Sequence, residues 1–344
     1  MNNKILAVAA VIIIVAAGVG IALAVSDSNK DGSIEIQNTN GTTTKIDGVA
    51  NKVVLLNVNT VETAIMLGAG DQVVGVGSAA YKRADYMAKL PNAVNAGSST
   101  EPSIDTVNEL KPDLIVGFST MKIKNQAELE ALGYPVAYLD CYIPGQMEKD
   151  IEQLAKALGK SDNVEKYKNF VNDKIQAIKD KLPASGLMNN KFYVEFSGTT
   201  YTSGYPSQNK GTSSDIILED LDFVNVTHNV AYGAYVQADV IHDSGATVIV
   251  KIYDISGSYT SIVTEMEGRA AFDGTPAKTN DNMYLMYASI AYGPRCFSAY
   301  AMFAKMAYPT EFADVDVSKW LKEYNETFGV EFNTQYTMLK LSDL

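Results

Sequence analysis

Apolar positions along this chain follow two rhythms. Continuous apolar runs of strand length alternate with stretches in which apolar residues return every three or four positions. The first run is Val53-Val54-Leu55-Leu56-Asn57-Val58, and others cover residues 73–76, 113–117 and 136–139. Helices fit between them at residues 60–67, 103–110 and 125–132. The first has Thr60 as its cap, Glu62 in its first turn and Gly68 at its end. Buried strands separated by helices predict a parallel sheet with right-handed crossovers. The pattern resumes past residue 190. Strands are expected at 192–196, 247–252 and 282–287, and helices at 212–221, 238–243, 258–266, 294–308 and 317–328.

One segment between these halves differs. Val164, Tyr167, Val171, Ile175, Ile178 and Leu182 keep a helical spacing, Asp162 and Glu165 fit a capping box, and Pro183 and Gly186 stop the run. The reading is an α/β fold: two Rossmann-like lobes with mainly parallel sheets, residues 45–160 and 183–344, joined by one long α-helix over 161–182. A helical connector is stiffer than a strand hinge, so modest lobe closure is expected.

The N-terminus has a third pattern. From Ile5 to Val25 every residue is apolar or small, with Lys4 before the run and Asp27 after it. At 1.5 Å per residue the run spans about 31 Å, the thickness of a bilayer core. Residues 1–25 read as an N-terminal transmembrane anchor with the N-terminus inside, or as a secretory signal cut after Ala22-Leu23-Ala24. No cysteine stands near for lipid attachment. Residues 26–44, rich in Ser, Asn, Thr and Gly, read as a flexible linker. The expected location is the cell surface, anchored to the membrane by this helix.

Composition narrows the function. The 344 residues carry a net charge of −12 with no basic block, which excludes nucleic acid as a natural partner. Cys141 and Cys296 form no metal pattern, and a single bridge between them or two free thiols are both open. With two histidines, His228 and His242, no metal site and no cofactor are expected. G-x-S-x-G, H-E-x-x-H, P-loop and G-x-G-x-x-G signatures are absent, so an enzyme is not expected. A surface enzyme or a cell-surface scaffold on the same two-lobed fold stays as the alternative.

The chain also aligns with itself. Residues 104–116 match 238–250 without a gap, each an acid opening a short helix, then a turn and a buried strand. Local capping explains each acid separately. The shared offset adds that Asp105 and Asp239 occupy equivalent places on the two lobes, as a pseudo-two-fold partner with paired basic residues would require.

Several stretches resemble a known family. Asn59-Thr60-Val61-Glu62-Thr63 with Leu67-Gly68-Ala69-Gly70-Asp71-Gln72-Val73-Val74-Gly75-Val76 is similar to the opening of the iron-siderophore and vitamin B12 binding proteins of ABC importers. So are Pro102-Ser103-Ile104-Asp105, Leu110-Lys111-Pro112-Asp113-Leu114-Ile115-Val116 and, near the end, Tyr292-Gly293-Pro294-Arg295. The likeness covers roughly residues 45–328. It implies a cleft-bound small molecule (iron chelate, haem or corrinoid) and an ABC permease with its ATPase as partners. It also implies one permease-docking glutamate per lobe, falling on Asp105 and Asp239. Both are aspartates here, one methylene shorter.

In open α/β sheets ligands bind at the carboxyl ends of strands. Those ends offer Asn57, Asn59, Ser78, Tyr81, Phe118 and Ser119 in the first lobe, and Tyr201, Tyr205, Tyr253 and Arg295 in the second. Tyrosine, with 20 copies, presents a flat apolar face and a polar tip. Arg295 is expected either to pair with a ligand carboxylate or phosphate or to bridge the lobes.

Overall fold

The computed structural model describes residues 32–196, 204–253, 259–334 and 338–344. The expected anchor at 5–25 lies outside the described residues. Among those described, no helix is long and apolar enough to cross a membrane.

The first elements are β1 (Ile34–Gln37) and β2 (Thr43–Ile46), an antiparallel hairpin. This corrects the expected linker, which ran through Thr44. Ile34, Ile36 and Ile46 turn inward, and the hairpin hangs on the first lobe. The Thr39 N–H donates to the Tyr138 carbonyl (2.8 Å), and the Tyr138 N–H donates to Asn38 Oδ1 (3.0 Å). A four-residue alternation between Ser, Asn and Thr residues is too short to stand out as a strand.

The first lobe contains β3 (Val53–Leu55), β4 (Val73–Val76), β5 (Val94–Asn95), β6 (Leu114–Gly117) and β7 (Val136–Tyr138). They lie in the order β5-β4-β3-β6-β7, all parallel. The second contains β8 (Lys191–Phe196), β9 (Val224–Asn225), β10 (Val248–Tyr253), β11 (Met283–Tyr287) and β12 (Met338–Lys340), in the order β12-β11-β10-β8-β9. Only β12 runs antiparallel, against β11. The central strands are apolar at nearly every position because helices cover both faces.

The connector is the helix Asp162–Lys179. Phe170 packs edge-on against Phe297 (5.5 Å), Tyr324 (5.7 Å) and Phe328 (5.9 Å), which fastens the last two long helices, Phe297–Ala307 and Val317–Phe328, along it. Tyr167, fully buried, donates its hydroxyl to the Pro294 carbonyl (3.0 Å). One apolar core runs from Ile34 to Leu341 through both lobes, and a smaller one covers the outer face of the first sheet.

The internal repeat has the same geometry in both lobes. Helix Ile104–Leu110 leads into β6, which pairs with the opening strand β3. Helix Ala238–Asp243 leads into β10, which pairs with the opening strand β8. At the aligned turn, Lys111 and Gly245 both take left-handed backbone, with φ of 50° and 66°. The aligned strand-entry residues do the same work. Asp113 Oδ2 accepts the Lys52 N–H and Thr247 Oγ1 accepts the Lys191 N–H, each at 2.9 Å. Asp105 and Asp239 are exposed in the first turns of their helices.

Candidate functional site

The lobes meet where the carboxyl ends of their strands face each other, and the deepest part of the meeting surface is ionic. Helix Val58–Met66 presents Glu62, and the turn before the second lobe's penultimate long helix presents Arg295. The guanidinium forks onto the carboxylate, Nε to Oε1 and Nη2 to Oε2, both at 2.8 Å. Tyr86 donates to the same carboxylate at 2.5 Å. Burial alone would lower the Arg295 pKa, but the Glu62 carboxylate outweighs it and holds the guanidinium above its ordinary value. Arg295 is therefore the inter-lobe bridge and not the ligand's partner.

The backbone comes equally close here. Gly293 has φ +70°, and a Cβ there would stand 3.0 Å from Asn59 Oδ1 across the lobe boundary. Glycine is required on both counts. A second arginine, Arg83, forks onto Asp85 (3.0 and 2.8 Å) and donates to Ser289 Oγ of the other lobe (2.7 Å).

Aromatic rings form the next layer. Tyr142, four residues past β7, touches Phe118 edge-on (6.3 Å) and reaches Tyr232 of the second lobe, hydroxyl to hydroxyl at 3.3 Å. Its carbonyl accepts the Ser213 hydroxyl (2.7 Å), also across the boundary. Burial and the Tyr232 hydroxyl push the Tyr142 phenol up. Tyr292 stands beside Phe196 (6.2 Å), and its phenol is raised by burial, then by Tyr142 and Tyr232. Its hydroxyl oxygen is buried and has no hydrogen-bond partner. Phe196 and Tyr232 are exposed within this cluster. The result is a two-sided aromatic mouth with phenol tips and one unsatisfied buried donor, which suits a flat or chelated small molecule.

The expected ligand residues separate accordingly. Asn59 lies at the boundary, beside Gly293, and Tyr81 is exposed at the end of the short helix Ser78–Tyr81. Asn57 does not contact the cleft: it is fully buried, donates to the Leu139 and Asp140 carbonyls (2.9 and 3.1 Å) and caps helix Val58–Met66. Ser78 donates to Asn95 Oδ1 and the Gly97 carbonyl, holding its own loop. Ser119 gives both its N–H (2.7 Å) and its hydroxyl (2.5 Å) to Asp140, whose carboxyl burial raises against those two bonds. Tyr205 lies beneath the Arg269 guanidinium (4.5 Å). Tyr253 is fully buried against Tyr287 and cannot reach a ligand. Tyr201 lies outside the described residues. The strand-end rule did not single out Tyr142, Tyr232 or Tyr292. Tyr142 follows a recognised strand and Tyr292 sits in a quoted motif, whereas Tyr232 has no sequence signal.

Two other features lie elsewhere. A cavity of about 280 Å³ runs beside the connector, lined by Val171, Ile175, Cys296 and Tyr300 among others. Its walls are mostly helix flanks, with Pro144 and Gly145 of the loop past β7 at one side. Asp215, Glu219 and His228 bring ligand-type atoms within 4.8 Å of one another. Asp215 already accepts from Gly211, Asn225 and His228, fixing helix Ser213–Asp220 to β9. Cys141 and Cys296 are both free and buried.

Two α/β lobes, a helical connector and an aromatic mouth between strand ends define a two-lobed binding protein. The chain belongs to the periplasmic binding protein family, whose model matches residues 53–289, more than half of its length. It is 27% identical over 192 residues to the petrobactin-binding protein of Bacillus subtilis (strain 168), covering 54% of this chain and 59% of that one. It spans between 42% and 59% of the curated relatives it matches. Among solved structures it shares its fold with the molybdate-bound periplasmic binding protein of Haemophilus influenzae (TM-score 0.70, 18% identity, 87% of this chain and 99% of that one). The apo periplasmic heme-binding protein from Roseiflexus sp. RS-1 is similar as well (TM-score 0.62, 19% identity, 76% and 99%).

Proposed function

We propose that this chain is the extracytoplasmic solute-binding component of an ABC importer, capturing an iron chelate between its lobes and delivering it to the permease. The observation that carries the reading is the aromatic mouth, built from Phe118 and Tyr142 on one lobe and Phe196, Tyr232 and Tyr292 on the other, with the unpartnered Tyr292 hydroxyl inside it. A further relative, the probable siderophore-binding lipoprotein of Bacillus subtilis (strain 168), supports an iron chelate as the cargo. Asp105 and Asp239, exposed at equivalent points of the two lobes, supply docking charges for paired basic residues on the permease. Residues 1–25 supply the membrane anchor or export signal.

The test is a fluorescence titration with ferric siderophores, haem and a corrinoid. Saturable quenching by a ferric siderophore is expected, and silence toward every ligand would overturn the reading. Docking is tested separately. Asp105→Ala with Asp239→Ala is expected to leave ligand affinity intact and to lower uptake, and unchanged uptake would refute that role.

A further inference from the structure

The chain has three arginines, Arg83, Arg269 and Arg295, and all three lie among the described residues. Each is committed to a carboxylate of the protein itself. Arg295 forks onto Glu62. Arg83 forks onto Asp85 and spans to Ser289. Arg269 donates to Glu195 (2.5 Å) and to Glu265, one turn before it. Lys251, directly across the strand pair from Glu195, completes that buried group by reaching Glu195 (2.9 Å) and Glu265 (2.7 Å). Among the described residues two acids face two bases there, and one buried donor, Arg269 Nε, has no hydrogen-bond partner. Withdrawing either base to serve a ligand would leave a carboxylate under-compensated in the interior.

An oxyanion ligand, such as a carboxylate, a catecholate or a phosphate, is held best by a bidentate guanidinium fork. This protein has none to spare. Besides the arginines, the cationic residues past the strand ends include exposed lysines: Lys82 beside Tyr81, Lys122 and Lys124 past β6 and Lys210 in the loop past β8. Each is a hydrated point charge whose pull on an anion falls with salt. The net charge of −12 repels anions at longer range. The surfaces offered at the mouth are instead ring faces and phenol tips, to which a neutral or cationic molecule binds without desolvating an uncompensated charge.

We infer that the cleft selects a ferric chelate whose outer surface carries no net negative charge, its iron neutralised by the chelate's own donors. The inference rests on the proposed function and narrows it. It is tested on the full chain by equilibrium dialysis with an uncharged ferric trihydroxamate, a cationic ferric trihydroxamate, an anionic ferric tris-catecholate and ferric citrate, each at low and high salt. The hydroxamates are expected to bind about ten- to a hundredfold more tightly than the anionic complexes, the worth of one missing charge-assisted fork. The affinity of the uncharged complex should be insensitive to salt, and that of the cationic one should fall as salt rises, because the net charge of −12 attracts it. Equal or tighter binding of an anionic complex that survives high salt overturns the inference and leaves the transport reading standing. Failure of every complex to bind overturns both.

Discussion

Replacing Glu62 with Gln isolates the ionic contact that joins the lobes. The side chain keeps its size, but the guanidinium of Arg295 loses its counter-charge while remaining fully buried. What is left around it is the substituted side chain's amide, the Tyr86 hydroxyl, the Asn333 carbonyl, accepting from Nη1 at 3.3 Å, and the Phe332 ring 4.8 Å away. Farther off is the Asp85 carboxylate, which, against its burial, Arg83 and then Arg295 hold below its ordinary value. Breaking a buried pair on one side costs about 3–5 kcal/mol, because the remaining charge is desolvated without compensation. Against a total stability of about 5–15 kcal/mol that is a large fraction. Removing both charges, Glu62→Gln with Arg295→Met, removes the orphan. The double variant should then lie within about 2 kcal/mol of the parent, with a strongly non-additive cycle. Urea unfolding followed by far-UV circular dichroism measures all four proteins, and an unchanged slope confirms that the unfolded states are comparable. A single-variant cost below about 1 kcal/mol, or a double variant that simply sums the two singles, would refute the reasoning.

Three further expectations follow from the same contacts. Tyr292→Phe removes an unsatisfied buried hydroxyl, so thermal stability should hold or rise slightly. If that hydroxyl meets the ligand, affinity for a ferric hydroxamate should drop by roughly fivefold in titration. Gly293→Ala forces a side chain into left-handed backbone against Asn59, with an expected loss of about 1–3 kcal/mol in unfolding experiments, and unchanged stability would contradict the close approach. Burial pushes the Cys296 thiol up to about 12 from an ordinary 9.0, with Glu148 adding to the rise, and Cys141 is raised too. Both should resist Ellman's reagent until the protein unfolds. Because the folded value exceeds the unfolded one, stability from Cys296 should be held below about pH 9 and decline as pH climbs toward 12.

Several elements, short and long, could be read directly from the chain. Helix Ala238–Asp243, helix Val317–Phe328 and strand Val73–Val76 have the expected limits, and the connector ends three residues short of Leu182. Helix Met147–Leu158 escaped because acids and lysines interrupt its apolar stripe, yet Ile151, Leu154 and Leu158 are buried along one side. Strands β5 and β9, two residues each, carry no periodicity at all. The site was harder for a different reason. Arg295 finds its partner 233 positions away, and no local pattern marks that distance.

The candidate residues that turn inward instead of toward the cleft share one cause. Strand ends of a parallel sheet face both the ligand and the other lobe, so residue type decides which of the two a side chain serves. Asn57, Ser78 and Ser119 are short and polar, and the backbone groups left open where strands stop absorb their hydrogen bonds locally. Arg295 is long and charged, and burial obliges it to find a carboxylate, which the first lobe provides in Glu62. Tyrosine is the residue that escapes both demands. Its ring tolerates burial and its hydroxyl can wait at the surface, as Tyr142 and Tyr232 do in reaching one another across the boundary. In a protein with few arginines and many tyrosines, the internal structure takes up the strong charges. On the function proposed above, recognition is left to the rings.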